Sequence, residues 1–384
     1  MRYFLAVMLA LLAACTDEPS NRRAATALGV AAVLNEAEAG LAGYERAVAV
    51  PVLQFPRDHG PHPGFRTEWW YITGNVATAA GREFGIQLVF FRHSLAPIGT
   101  ELPEVSLAAR EVVLAHAAVT DVAAQRFHHD ERLARLDGLQ AQLLGPATGR
   151  PFHIAVADWS AAGAADGDGF LPLDLRAAGP EFAFALRAEP GKPIVLQGEG
   201  GLSQKSGEAG NASIYYSMTR LPLRGQIEVA GHRHEVSGLG WIDREWSTSA
   251  LGPQQVGWDW FSLQLESGEE LMWYQLRCRD GSVDPFSRGC WVGRDGSSVP
   301  LLPAAVTATP RGRWLAADGA AEYPASWRLL VEPLGLDLEV EPVLPDQELQ
   351  VLVRYWEGAV RVRGTRAGQP VRGRGYLEMT GYGR

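Results

Sequence analysis

The sequence predicts an all-β protein built as two antiparallel barrels in tandem. Three observations carry that expectation. The 384 residues include 43 Gly and 24 Pro, enough to punctuate many short strands with turns. Apolar residues fall in strand-length runs such as EFGIQLVFFR (from Glu83) and FHIAVADW (from Phe152), bounded by Gly, Asp and Pro clusters. Finally, both ends of one unit recur, in the same order, in a second.

The first element is a targeting segment. MRYFLAVMLALLAAC offers Arg2 as a minimal positive region, an apolar stretch too short to span a bilayer, and then Leu12-Ala13-Ala14-Cys15. It resembles a bacterial lipoprotein signal peptide over residues 1–14, with Cys15 as the lipidated N-terminus. Asp17 is one place beyond the position that would suggest inner-membrane retention, so the expected location is the outer membrane, facing the periplasm. Residues 15–54 read as a tether, Ala-rich with Glu and Leu interspersed from Arg22 to about Ala49, and carrying a short helix. The anchor is then the chain's one expected membrane contact.

The first barrel is expected over 55–248 and the second over 252–384. VSGLGWID (Val236 to Asp243) and VRGRGYLE (Val371 to Glu378) share a V-x-G-x-G-aromatic-aliphatic-acid pattern, and GQIEVAG upstream answers GAVRVRG. WWYITGNVATAAGREFGIQLVFFR resembles WDWFSLQLESGEELMWYQLRCR, two aromatic strands joined by a Gly turn. Extra residues in the first unit fall within Thr120 to Gly200. Up-and-down closure would leave neither unit with a free edge. Gly252 and Pro253 suit the junction between Trp246 and Val256, because neither continues a strand well.

A net charge of −9 argues against nucleic acid as a partner. With Cys15 assigned to lipid, Cys278 and Cys290 bracket RDGSVDPFSRG and read as a disulfide across a hairpin loop in an oxidising compartment. His59 and His62 lie in a Pro/Gly-rich loop and His128-His129 in a polar one; both pairs are expected in solvent. No metal site and no cofactor are expected.

Chemistry concentrates in GLGWIDREWSTSALGPQQVGWDWFSLQL, where four Trp are interleaved with acids. Carboxylates are costly to bury and aromatics costly to expose. Strand alternation puts Trp241, Asp243 and Glu245 on one face and Ile242, Arg244 and Trp246 on the other. The same rule turns Asp259 outward, opposite Trp258 and Trp260. Glu378 holds in the second unit the place of Asp243 in the first, which makes a structural role for both acids a competing expectation.

Three stretches, FPRDHGPHPGFRTEWWYITGNV, YYSMTRL and WIDREWSTS, together with YWEGAVRV and GYLEMTGY, resemble the AttH and carotenoid 1,2-hydratase family. The resemblance runs from about Phe55 to the C-terminus and implies two tandem lipocalin-like domains. In such barrels a Trp of the first strand packs beneath an Arg near the end of the last; here Trp69 or Trp70 with Arg244 would be that pair, and Glu68 a salt-bridge partner for Arg244. Where the hydratases carry a strand resembling YHDHNW, this chain keeps Asp243 and Trp246 and replaces both histidines, by Ile242 and Arg244.

Hydrating an isolated C=C needs a desolvated acid, a π-rich or negative wall for the carbocation, and one positioned water. On that reading Asp243 is the general acid, reprotonated by water or Glu245, and Trp241 is part of the wall. Glu68, Trp70, Tyr216 and Met218 are expected to line the same cavity, inside the first barrel. Three functions follow. The chain is a lipoprotein binding an apolar isoprenoid, polyene or lipid-like small molecule, in association with an ABC-type export permease as some relatives imply. Alternatively it is a hydro-lyase of the carotenoid 1,2-hydratase kind, or a structural envelope protein.

Overall fold

A computed structural model describes residues 28–29, 41–100, 110–249 and 251–383. Cys15 and the signal segment lie outside them. Strands dominate, and they form two large antiparallel sheets. In the first, Thr67–Ala77 pairs on one side with Glu83–Ser94, which continues to Glu111–Asp121 and Arg126–Arg135. On its other side it meets His232–Ser247, then Ala212–Val229 and five shorter strands back to Ala141–Leu144. The second sheet repeats this plan: Gln255–Leu265 joins Glu270–Cys278 on one side and the C-terminal strand Gln369–Met379 on the other. In both, chain neighbours pair and the ring closes where the first strand meets the last. Each ring is interrupted at one place, before Ala141–Leu144 in the first and before Val306–Arg311 in the second.

Alternation along the closing strands sets what each barrel encloses. Trp70, Ile72, Tyr216, Met218, Ile242 and Trp246 fill the first barrel. Phe261, Leu263, Trp356, Leu377 and Met379 fill the second. A third cluster contains Tyr71, Tyr215, Trp241, Trp260, Ala359 and Tyr376, drawn from both sheets. It is the seam where the barrels dock through their closing strands.

The register shows the two units to be equivalent. Asp243 lies opposite Tyr71 and Ser217, and Glu378 lies opposite Trp260 and Glu357. Gly85 marks how close the sheets come: a Cβ there would sit 2.7 Å from both the Ala359 methyl and the Tyr376 hydroxyl. Gly85→Val should therefore push the barrels apart and destabilise the protein by about 1–3 kcal/mol, read as a lower urea midpoint. An unchanged midpoint would mean that the seam yields easily.

Several local expectations are corrected. Leu28–Gly29 form a short parallel pairing with Val353–Arg354, and residues 41–49 are turn and extended chain, so no helix occupies these parts of the tether. FHIAVADW is not one strand but two, His153–Val156 and Trp159–Gly163, joined where Ala157 takes a positive φ. His128 and His129 lie within the Arg126–Arg135 strand and not in a loop.

Cys278 and Cys290 are free thiols. Cys290 pairs in register with Met272, six residues along the same strand from Cys278. That offset is about 20 Å at strand rise, far beyond the ~7 Å limit for a bridge. The Glu270–Cys278 strand runs on past the partner, so Cys278 lies at its far end. Among the described residues, no helix is long and apolar enough to cross a membrane.

Candidate active site

Asp243 is 3% exposed and sits on the seam. Its carboxyl accepts three hydrogen bonds, from the Ser217 hydroxyl at 2.5 Å, the Tyr215 hydroxyl at 2.6 Å and the Trp241 indole at 2.7 Å. Tyr215 is held in turn by the Trp260 indole of the other barrel, 3.1 Å away. Among the described residues no cation pairs with Asp243. Burial pushes its pKa up; the three donors pull it down and the charge of Glu245 raises it, leaving it at about 7. An aspartate poised there carries a proton near neutrality.

The second barrel brings two more acids to the same seam. Glu357 and Glu378 face each other across neighbouring strands, and Glu357 is fully buried. The Tyr71 hydroxyl, from the first barrel, donates to Glu357 at 2.5 Å, and the Trp258 indole donates to Glu378 at 2.8 Å. Burial raises both acids, and neighbouring carboxylates raise them further; Glu378 reaches about 8. Tyr71 and Trp260 stand between the two sets of acids in an edge-to-face pair with centroids 5.0 Å apart.

Glu245 is next along the Asp243 face. It takes a hydrogen bond from Ser213 and an ion pair from Lys205 at 3.0 Å. Lys205 also lies 4.1 Å over the Tyr274 ring. Trp69, Phe91 and Trp258 border the seam half-buried, so its aromatic lining continues to the surface. Among the described residues no three His, Cys, Asp or Glu side chains converge as a metal site.

The expected site residues divide into two groups. Trp241, Asp243 and Glu245 share one face. Glu68, Trp70, Tyr216 and Met218 do not join them, because cross-strand partners share a face: Trp70 and Tyr216 lie opposite Arg244, and Met218 opposite Ile242. They line the interior of the first barrel, whereas Asp243 looks out of it. The reading from YYSM chose Tyr216 where its neighbour Tyr215 makes the contact, and a one-residue offset inverts the face.

Glu68 belongs to a buried structural network. It binds Arg92 at 2.6 Å and Arg244 at 3.1 Å, and it accepts the His62 amide. Burial alone would raise its pKa, but these partners hold it well below the usual range. The Arg244 guanidinium lies 3.9 Å over the Trp70 ring, the expected cation–π contact.

His59 and His62, expected in solvent, instead close the barrel mouth: His59 stacks on Phe170 and His62 on Trp246. Asp259 does not face outward but into the second barrel, fully buried against Arg277 at 3.1 Å, with Gln275 and Tyr382 as donors.

Burial also lowers His59 and His116 to about 3. The unfolded chain binds more protons below the ordinary value of 6.5. Their contribution to stability is therefore complete above that pH and is lost as pH falls from 6.5 toward 3. Melting temperature should drop through this window, and His116→Gln should shrink the drop.

The sequence matches the AttH-like family model over residues 46–382. The chain belongs to the AttH-like family. Its fold is similar to a Nitrosomonas europaea protein assigned as an AttH, with 34% identity and a TM-score of 0.76, covering 88% of this chain and 99% of that one. Kievitone hydratase from Nectria haematococca shares the fold at 16% identity and a TM-score of 0.65, covering 88% and 95%. CghA does so at 13% and 0.54, covering 88% and 96%. None of the curated proteins matches the sequence.

Proposed function

We propose that this AttH-like protein is a hydratase-type acid catalyst. It adds water to an isolated C=C of an apolar, isoprenoid-like substrate held between the two barrels. The observation that carries the reading is Asp243: buried, free of any cationic partner among the described residues, and set among Tyr and Trp. Arg244, its neighbour in sequence, points the other way into the first barrel. In the reaction the Asp243 O–H bond breaks and its proton forms a C–H bond with one alkene carbon. The cation left on the other carbon lies against the indoles of Trp241 and Trp260 and the Tyr71 ring. Water adds to that carbon and gives up a proton to a carboxylate, which balances the step. Glu245, ion-paired with Lys205, sets a carboxylate near Asp243 whose charge favours the protonated acid. The hydratase activity of a relative with this fold is consistent with such chemistry.

The test is incubation with lycopene, an acyclic polyene, in ¹⁸O-labelled water. One labelled oxygen should appear in the product, and the rate should fall as pH rises through about 7, where Asp243 loses its proton. Unlabelled, unchanged lycopene across a panel of acyclic polyenes would sink the catalytic reading.

A second reading, carriage of an apolar ligand without turnover, is favoured by a groove of about 340 Å³ at the mouth of the first barrel. It is lined by Val48, Val50, Val52 and Leu53 against Phe65 and Trp246, and Val52 is 83% exposed. On that reading a lipoprotein anchored through Cys15 to the outer membrane, facing the periplasm, passes its cargo to an ABC-type permease. Binding would then survive Asp243→Asn unchanged.

A further inference from the structure

The Glu357–Glu378 pair is the remaining concentration of unexplained polar chemistry in the seam. We propose that these two carboxyls form a dyad sharing one proton, and that the dyad is the base of the site, taking the proton from the water that attacks the carbocation. The proposal rests on the acid-catalysed reading of Asp243 and adds the partner which that reading leaves open.

Geometry supports the shared proton. The two residues lie directly opposite each other on paired strands, Glu357 fully buried and Glu378 half-buried at the edge of the seam beside Trp258. Each already accepts one neutral donor on its first oxygen, Tyr71 for Glu357 and Trp258 for Glu378. The second Glu357 oxygen is buried and, among the described residues, reached by no donor. Two carboxylates facing each other, Glu357 fully buried and Glu378 half-buried, repel strongly when both are ionised, so a proton between them satisfies that oxygen and leaves one negative charge. The Tyr71 and Trp258 donors are placed to hold this charge.

Among the described residues, the titratable groups around the pair are Tyr71, Tyr355, Tyr376, Asp243, Glu245 and His116, and none brings a positive charge at neutral pH, since burial lowers His116 to about 3. Lys205 is engaged by Glu245. The raised pKa values agree with a proton kept at neutral pH.

Independent polar atoms point to a bound hydroxylic molecule near Tyr355, the next residue along the Glu357 strand face. Tyr355 lies two residues from Glu357 on the same strand face, and its hydroxyl is met by Gln87 at 3.0 Å and His116 at 2.8 Å. Gln87 and His116 are both buried, and each has one further polar atom, Oε1 and Nε2, with no partner among the described residues. Buried polar groups of this kind are normally satisfied by ordered water.

Water held there would have its O–H bond broken as its oxygen bonds the cationic carbon. The proton passes to the ionised oxygen of the dyad, while Asp243, which gave its proton to the other carbon, is left ionised. Solvent exchange along the Trp258 edge then returns the dyad proton to Asp243, and no oxidant or reductant is involved.

The experiment is infrared titration of the full chain, with turnover of lycopene as the second readout. In Asp243→Asn a protonated-carboxyl band should persist at neutral pH, and it should vanish in Asp243→Asn combined with Glu378→Gln, whose amide N–H replaces the shared proton. Glu378→Gln alone should lower kcat about a hundredfold with little change in KM. It should also leave the loss of activity near pH 7 in place, since that limb belongs to Asp243. Absence of the band from Asp243→Asn overturns the dyad whether or not lycopene is hydrated. Glu378→Gln turnover within twofold of the parent overturns its role as base.

Discussion

Asp243→Asn is expected to abolish turnover of an acyclic polyene, by about 10²- to 10⁴-fold in kcat, while the protein stays folded and still binds the substrate. The change is nearly isosteric. The Asn carbonyl can accept from Ser217 and Trp241, and its amide can meet Tyr215, so the seam keeps its hydrogen bonds. Stability should move opposite to activity. The folded pKa is raised above that of the unfolded chain, so the contribution of Asp243 is complete at acid pH and is lost as pH rises through about 7. Above neutrality burial of this carboxylate costs on the order of 4 kcal/mol, and Asp243→Asn should raise the melting temperature there but not at pH 4. A variant that is inactive and also unfolded at every pH would assign Asp243 to architecture.

The second large effect lies in the first barrel. Glu68→Leu should destabilise the protein by about 3–5 kcal/mol, because it leaves the Arg92 and Arg244 guanidinium groups buried together without their shared carboxylate. Glu68→Gln, which keeps an acceptor, should cost less. Chemical denaturation of both variants, followed by Trp fluorescence, measures the difference. Equal midpoints for the parent and Glu68→Leu would show that the network carries no stability. Neither change should shift the pH dependence of activity, since the Glu68 network lies inside the barrel and Asp243 outside it.

Much of the fold was legible because the chain writes its plan twice. The V-x-G-x-G-aromatic-aliphatic-acid repeat marks the closing strand of each ring, and alternation correctly grouped Trp241 with Asp243 and Arg244 with Trp246. Alternation gives parity but not side. Nothing local to WIDREWS says whether Asp243 or Arg244 faces the barrel interior, since each residue is buried by a different barrel.

The pairing of Tyr215 rather than Tyr216 with Asp243, and the inward turn of Asp259, follow from that same choice of side. The repeat held the missing clue. If Asp243 and Glu378 are equivalent and both barrels dock through equivalent strands, the two acids must meet on one seam. The Cys278–Cys290 bridge failed because loop spacing does not reveal how far a strand continues past its partner. His59 and His62 failed because a Pro/Gly loop can plug a barrel mouth as readily as it can hang in solvent. The absence of the hydratase-like histidines beside Asp243 also takes on a physical meaning. Those positions point into the first barrel, where Ile242 packs in the core and Arg244 serves Glu68, and the donors to Asp243 are Trp241 on its own strand and Tyr215 and Ser217 on the next.

The most direct test of the central claim is the titration of Asp243 itself, followed by carboxyl ¹³C NMR and assigned by the signal missing from Asp243→Asn. A midpoint at about 7 is the expected result, and it would establish a buried acid holding its proton into the neutral range. A midpoint near the ordinary aspartate value of 3.8 would contradict it, leaving a carboxylate fixed by Tyr215, Ser217 and Trp241 as a strut between the barrels.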